Sequence, residues 1–462
     1  MAKRIYELID SAPRAGIAAV IGILLIVASP FTGKCQPRVV GYYPAWMKTT
    51  LPADKVRFDI LTHLNHAFAW PLADGSITGY NDLNHPELID ATHNAGRKIL
   101  IALGGFGQSQ HFSAMASDST TRKQFINNLI HFIETHEYDG VDFDWEFPET
   151  PADRTNLTVL IKEVRAAFNN ENPSLLVTTV AFPTDFNGRW NNYEALAAEV
   201  DWFNLMTYDF HGTWTSHAGH NAPLYAPVTD VDGSVHAGVQ YLSNSRRISK
   251  EKIHLGLPFY GREFNASSLY GPSTGGGDLT YSAIAPRLTS GWEYFWDDVS
   301  KVPYLLNANR TGLVTFDDTL SLRLKCEYAK QNGLAGVMIW ALGQDILNDT
   351  QPLIEAVGRA MATGTGIDAR GEGVVRDFVL WNNYPNPFNP STTIAFELAR
   401  DMPVKLFVYD LNGKLVAVLK NGMAKQGRNA LIWQATDYAS GIYFCKLEAG
   451  AFSRAKKMIL TK

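Results

Sequence analysis

Between Arg38 and Arg359, eight short apolar runs alternate with polar-faced helical stretches, and this constrains the fold of the 462-residue chain more than anything else in it. The runs are Val39–Tyr42, Leu61–Ala69, Lys98–Leu103, Gly140–Glu146, Leu176–Phe182, Trp202–Tyr208, Ile253–Phe259 and Gly336–Ala341. Several are almost wholly apolar, as strands covered on both faces are. The spacing between them predicts helices, among them Lys123–Thr135, Asn156–Phe168 and Leu320–Asn332. Eight strands alternating with helices is the arithmetic of an α/β fold, the (β/α)8 TIM barrel. An open doubly wound sheet is the competitor, but no glycine-rich dinucleotide fingerprint follows the first run. The gap between the seventh and eighth runs is too long for one crossover. Residues 265–313 hold Gly275-Gly276-Gly277 and strand-like pieces at Trp292–Trp296 and Val302–Leu306, and they predict a small α+β insertion over the barrel mouth.

The two ends differ from this pattern. Lys3, Arg4 and Arg14 precede an uninterrupted apolar run from Gly16 to Ser29. That run is shorter than the ~20 residues of a membrane span and suits a signal peptide over 1–34, with Ala28, Ser29 and Gly33 as small residues for cleavage. An uncleaved anchor is the alternative. The barrel is then expected over 35–361 and a linker over 362–373, rich in Gly and Thr. Residues 374–462 show short alternating strands, including Thr393–Leu398, Val404–Tyr409, Lys414–Leu419, Asn429–Trp433 and Ile442–Leu447, with turn signals such as Asn412-Gly413. That is the pattern of a small all-β sandwich.

Composition narrows the function classes. A net charge of −5 argues against a general nucleic-acid binder. The content of 46% hydrophobic and 19% charged residues excludes wholesale disorder. Cys35, Cys326 and Cys445 are far apart and fit no zinc spacing, so neither a metal site nor a cofactor is expected. Aromatics reach 12%, which serves either a large core or flat sugar rings.

The chemistry concentrates on the fourth run, Asp139-Gly-Val-Asp142-Phe-Asp144-Trp-Glu146. Side chains alternate along a strand, so Asp142, Asp144 and Glu146 share one face and Val141, Phe143 and Trp145 the other. In a barrel the acidic set faces the lumen, where like charges repel and some must hold protons. Such crowding marks functional sites. A carboxylate metal site is the rival, and a solvated acidic edge would expose Phe143 and Trp145.

These residues carry a resemblance. Asp139, Asp142, Asp144 and Glu146 complete the DxxDxDxE signature of the family 18 glycoside hydrolases, the chitinases. Similar segments follow in order: Gly41-Tyr42-Tyr43 with Trp46, Leu64–Phe68, Met206-Thr-Tyr208-Asp209 with Gly212, Gly256–Arg262 and Gly336–Ala341. The third run departs from the pattern, with Ala102 where the family commonly has Ser, and this touches the hydrogen bonding under Asp142. The resemblance implies a substrate-assisted mechanism, an exception to the two-carboxylate scheme. It makes Glu146 the general acid and base, Asp144 the group that orients the substrate N-acetyl group, Asp142 a carboxyl sharing a proton with Asp144, and Tyr208 a donor to the acetamide oxygen. Glu146 needs a raised pKa, for which the charge of Asp144 is one cause. Trp340 becomes the floor under the reacting sugar. Asp209, Met206, Tyr260, Arg262, Tyr43, Phe68 and Trp214 become substrate contacts. Tyr42, Phe68 and Trp46 serve equally well as barrel packing. His211, His217 and His220 lie close together, and their place after the sixth run reads as polar loop contacts, not metal ligands.

The C-terminal segments Asn383–Ile394, Val408–Gly413 and Ala439–Phe444, with Lys456-Lys457-Met458, resemble the sorting domains of the type 9 secretion system. A chitin-binding module is the alternative. The reading that results is a secreted, monomeric chitinase acting on chitin or chitooligosaccharides, exported by secretion machinery and free of the membrane afterwards. Its rivals are a family 18 enzyme for N-glycans or peptidoglycan, and a chitin-binding lectin. Lectins of the family usually lose the acid, so Glu146 argues against the last.

Overall fold

The computed structural model describes residues 37–227 and 230–362, and those from 378 onward except 382, 384, 399–400, 412 and 450–451. The signal-peptide expectation and nearly all of the proposed linker lie outside these residues. The chain divides into two compact units, residues 1–363 and 364–462.

In the first unit, eight parallel strands close on themselves: Arg38–Pro44, His63–Pro71, Lys98–Gly104, Gly140–Asp144, Leu176–Ala181, Trp202–Leu205, Ile253–Pro258 and Gly336–Trp340. Each pairs with its neighbours in sequence, and the first pairs with both the second and the eighth. This is the TIM barrel. Period two sorts its strands into two cores. Val39, Leu64, Ile101, Val141, Phe143, Phe203, Leu255 and Val337 join the helix residues in the outer core. Val40, Tyr42, Ala67, Ala102, Trp202 and Met338 fill the lumen.

Two of the expected helices run further than apolar spacing alone predicts, because polar residues define their ends. Ser119–His136 starts four residues before its expected bound, where the Asp118 side chain accepts from the Thr120 and Thr121 amides. Pro151–Glu171 begins with a capping box between Thr150 and Asp153 and carries proline in its first turn.

Between the seventh and eighth strands lies a five-stranded antiparallel sheet formed by Tyr260–Phe264, Gly276–Thr280, Trp292–Asp297, Val302–Asn307 and Leu313–Thr315. It begins at Tyr260, earlier than the expected 265, because the chain passes almost directly from barrel strand to lobe strand. The second unit holds a three-stranded and a four-stranded antiparallel sheet around one core that includes Ile394, Phe396, Leu406, Trp433 and Cys445. Strands Phe378–Leu380 and Phe452–Leu460 are additional to the sequence expectation; the latter is hidden by the charges of Arg454, Lys456 and Lys457. Cys326 and Cys445 are free and buried. Among the described residues, no helix is long and apolar enough to cross a membrane.

Candidate active site

The fourth strand carries its carboxyls where the period-two argument puts them. Asp142 and Asp144 are 0% and 4% exposed, while Phe143 and Trp145 are buried in the outer core. Asp142 is held by three donors. Tyr42 donates its hydroxyl to Oδ2 at 2.6 Å, and Thr178 Oγ1 and Asn204 Nδ2 donate to Oδ1 at 2.5 and 3.0 Å. Burial raises the Asp142 pKa, and these three bonds oppose it by favouring the charged form. Ala102 stands beside Asp142 in the strand register and offers no hydroxyl, so the donors come from the first, fifth and sixth strands instead.

Asp144 differs sharply. Its Oδ1 is buried with no hydrogen-bond partner. Burial pushes its pKa well up, and the charges of Glu146 and Asp142 push the same way. Leaving a buried polar atom unpaired costs about 1–3 kcal/mol, so Asp144 is set either to hold a proton or to receive a donor. The two oxygens of Asp142 accept from Tyr42, Thr178 and Asn204.

Glu146 lies just past the strand end, its amide donating to Ser109 Oγ at 2.9 Å. The residue reaches solvent at one edge, but its carboxyl is enclosed, and its pKa is raised to about 8. Burial is the first cause and the charge of Asp209 the second, opposed by the backbone N–H of Phe106. The sequence reading named the charge of Asp144 as one cause and did not include Asp209. Asp209 enters because it follows the sixth strand with a left-handed φ of 61°, and no sequence period reports that turn.

Aromatic rings surround these acids. Trp340, half-buried at the end of the eighth strand, stacks on Phe68 with centroids 5.7 Å apart and meets Tyr42 edge-on at 5.6 Å. Met206 packs against the same lumen cluster. Tyr208 is buried, and its hydroxyl reaches Met338 Sδ at 3.8 Å, a weak acceptor that leaves the donor free to be captured. Its ring lies edge-on to Tyr260 at 6.0 Å. Asp209 Oδ1 accepts from the Tyr260 hydroxyl at 2.5 Å and from Arg262 Nη2 at 2.6 Å. The Arg262 guanidinium lies 4.8 Å over the ring of Trp214, which is 58% exposed. Trp46, 47% exposed, meets Tyr80 edge-on.

Tyr43 is a correction. It is fully buried in the outer core and donates its hydroxyl to the Leu51 carbonyl at 2.6 Å. Strand parity puts Tyr42, not Tyr43, in the lumen, so Tyr43 cannot meet a substrate. Asp139, the first acid of the signature, also stands apart. It accepts from Lys98 Nζ at 2.5 Å and from the Ile99 amide at 2.9 Å, pinning the entry of the fourth strand to the third. Thr178 and Asn204 escaped the sequence reading. Their one signal is that each is polar at an inward position of an apolar run.

The description "Glycosyl hydrolases family 18" matches residues 38–345. The chain belongs to that family. A second description, "Secretion system C-terminal sorting domain", matches residues 382–461, and this sorting domain indicates secretion. The family 18 region is similar to Chitinase A1 of Niallia circulans, 33% identical over 288 residues, covering 54% of this chain and 41% of that protein. The chain spans about half the length of the first curated relatives it matches. Among solved structures, the Group IV chitinase of Ostrinia furnacalis in complex with allosamidin matches with TM-score 0.66 and 28% identity, covering 70% of this chain and 98% of that one. Human YKL-39, described as a pseudo-chitinase with retained chitooligosaccharide binding, matches with TM-score 0.64 and 27% identity, covering 70% and 99%.

Proposed function

We propose that this family 18 chain is an exported chitinase that hydrolyses β-1,4 linkages between N-acetylglucosamine units with retention of configuration. The observation that carries the reading is the contrast along one strand: Asp142 saturated by donors, Asp144 with an unpartnered oxygen, and Glu146 with a pKa of about 8. At neutral pH Glu146 then holds a proton to give to the glycosidic oxygen. Asp144 accepts the acetamide N–H of the bound sugar, and Tyr208 donates to the acetamide oxygen. That oxygen attacks the anomeric carbon as the glycosidic C–O bond breaks, and the leaving oxygen takes the Glu146 proton. Water then opens the cyclic intermediate from the opposite face, giving its proton to Glu146. Two displacements restore the starting anomer. Asp144, two residues from Glu146 on the same face, is about 7 Å along the strand and flanks the donor, so it is poorly placed as the nucleophile. An intramolecular acetamide has the large effective molarity of a preset geometry. Relatives named as chitinases support the substrate class.

Trp340, Phe68, Met206, Asp209, Tyr260, Arg262 and Trp214 form the subsite walls in this reading. The N-terminal signal peptide and the sorting domain supply the route of export. The test is NMR of the first product from a soluble chitooligosaccharide. A β-anomer is expected, with fully deacetylated chitosan and cellulose oligomers inert. An initial α-anomer, or brisk cleavage of deacetylated chitosan, sinks the mechanism.

A further inference from the structure

The long connection after the sixth barrel strand brings four side chains to one point. His211 Nε2 lies 3.1 Å from Asp232 Oδ2 and 3.4 Å from Asp230 Oδ1, and His217 Nε2 lies 3.1 Å from the same Asp232 oxygen. One ligand atom from each of the four falls within 4.8 Å of all the others. His211 is fully buried and Asp230 is 8% exposed.

The tautomer of His211 decides what such a cluster wants. Its Nδ1 sits 3.0 Å from the His220 carbonyl oxygen, which can only accept, so the proton belongs on Nδ1. In the neutral ring Nε2 is then a lone pair aimed at two carboxylates, which also only accept. No well-formed hydrogen bond joins the ring to them: His211 Nε2 is buried without one, as is Asp230 Oδ2, while the Asp230 Oδ1 that faces the ring accepts the Asp232 amide at 3.0 Å. Acceptors converging on a point are what a cation satisfies. A ring whose other nitrogen donates to a backbone carbonyl is the usual setting of a metal-bound histidine.

We propose that His211, His217, Asp230 and Asp232 bind a first-row divalent cation, zinc fitting best, in a structural role. A tetrahedral ion with bonds of ~2.0–2.1 Å places its ligand atoms about 3.3 Å apart, which the three contacts of 3.1, 3.1 and 3.4 Å approach. Two imidazoles disfavour calcium and magnesium, which take oxygen. Four protein ligands close the coordination sphere, as in structural sites. The ion pins the loop bearing Asp209 and Trp214, since Trp214 lies between the two histidines in sequence. The competing arrangement is a metal-free imidazolium at His211. Burial opposes that charge, while Asp230 and Asp232 favour it and prevail.

The full chain, stripped with a chelator and then given Zn²⁺ or Co²⁺, separates the two. One ion should stay with each chain after desalting, Tm should rise, and bound Co²⁺ should show the visible absorption of a tetrahedral site. His217→Ala and Asp232→Asn should each lose the retained ion and the rise in Tm. Failure of the wild-type chain to retain either ion overturns the proposal, as does a Co²⁺ spectrum that survives both substitutions. The wild-type measurement stands even if a variant misfolds.

Discussion

Glu146 turns burial into a pH range. In its proposed role as the acid it works protonated, and with a pKa near 8 it stays so at neutral pH. The sign follows directly: kcat/KM on a soluble chitooligosaccharide should fall as pH rises through about 8. Asp209 contributes to that value by its charge, so Asp209→Asn should lower the Glu146 pKa and move the alkaline limb to lower pH. A pH profile with an unmoved limb would detach Asp209 from the acid. Glu146→Gln should keep the circular dichroism spectrum and lose roughly 10²–10⁴ in turnover or more, and near-native turnover would remove Glu146 from the role. At this scale, much was legible from period two alone: three acids on one face, apolar residues on the other. The same rule, applied to Arg38–Pro44, would have chosen Tyr42 over Tyr43, because Val40 and Tyr42 share the lumen parity. Thr178 and Asn204 were invisible because their importance lies in reaching Asp142 across strands, which no one-dimensional pattern encodes.

Helix Thr319–Gln331, which leads into the eighth barrel strand, rests on a buried ion pair. Lys325 Nζ lies 2.6 Å from both oxygens of Asp317, and the two side chains are 0% and 1% exposed. Asp317 sits just past the last lobe strand, so the pair ties lobe exit to barrel helix. Removing one partner strands a buried charge, and Asp317→Ala should cost about 3–5 kcal/mol in urea unfolding. Replacing both with apolar residues of similar volume should recover most of that loss; if Asp317→Ala alone is neutral, the pair is not structural. The sequence predicted this helix as Leu320–Asn332, close to its observed range, because Asp318 caps it in a box with Ser321. The long helix Pro151–Glu171 was underestimated, since its first turn is polar and its start is set by Thr150, Pro151 and Asp153, not by apolar spacing.

On the scale of the whole molecule, barrel and sandwich each own a separate hydrophobic core. Deleting residues 374–462 should therefore leave an active barrel with its unfolding transition intact, measured by calorimetry and chitooligosaccharide cleavage. Loss of activity in that truncation would give the sandwich a part in catalysis. Barrel count and strand order were readable from the eight runs, while the lobe's five-strand pairing was not, because Gly276–Thr280 carries no apolar alternation. One topological fact has a further bearing on biogenesis. The first strand docks against the eighth, Arg38 beside Gly336 and Gly41 beside Ile339, at the opposite end of the barrel's sequence. A chain emerging from its amino end therefore carries raw sheet edges until Trp340 has appeared, and contacts so distant in sequence are slow to form. Nascent or truncated chains that stop short of that strand should be protease-sensitive.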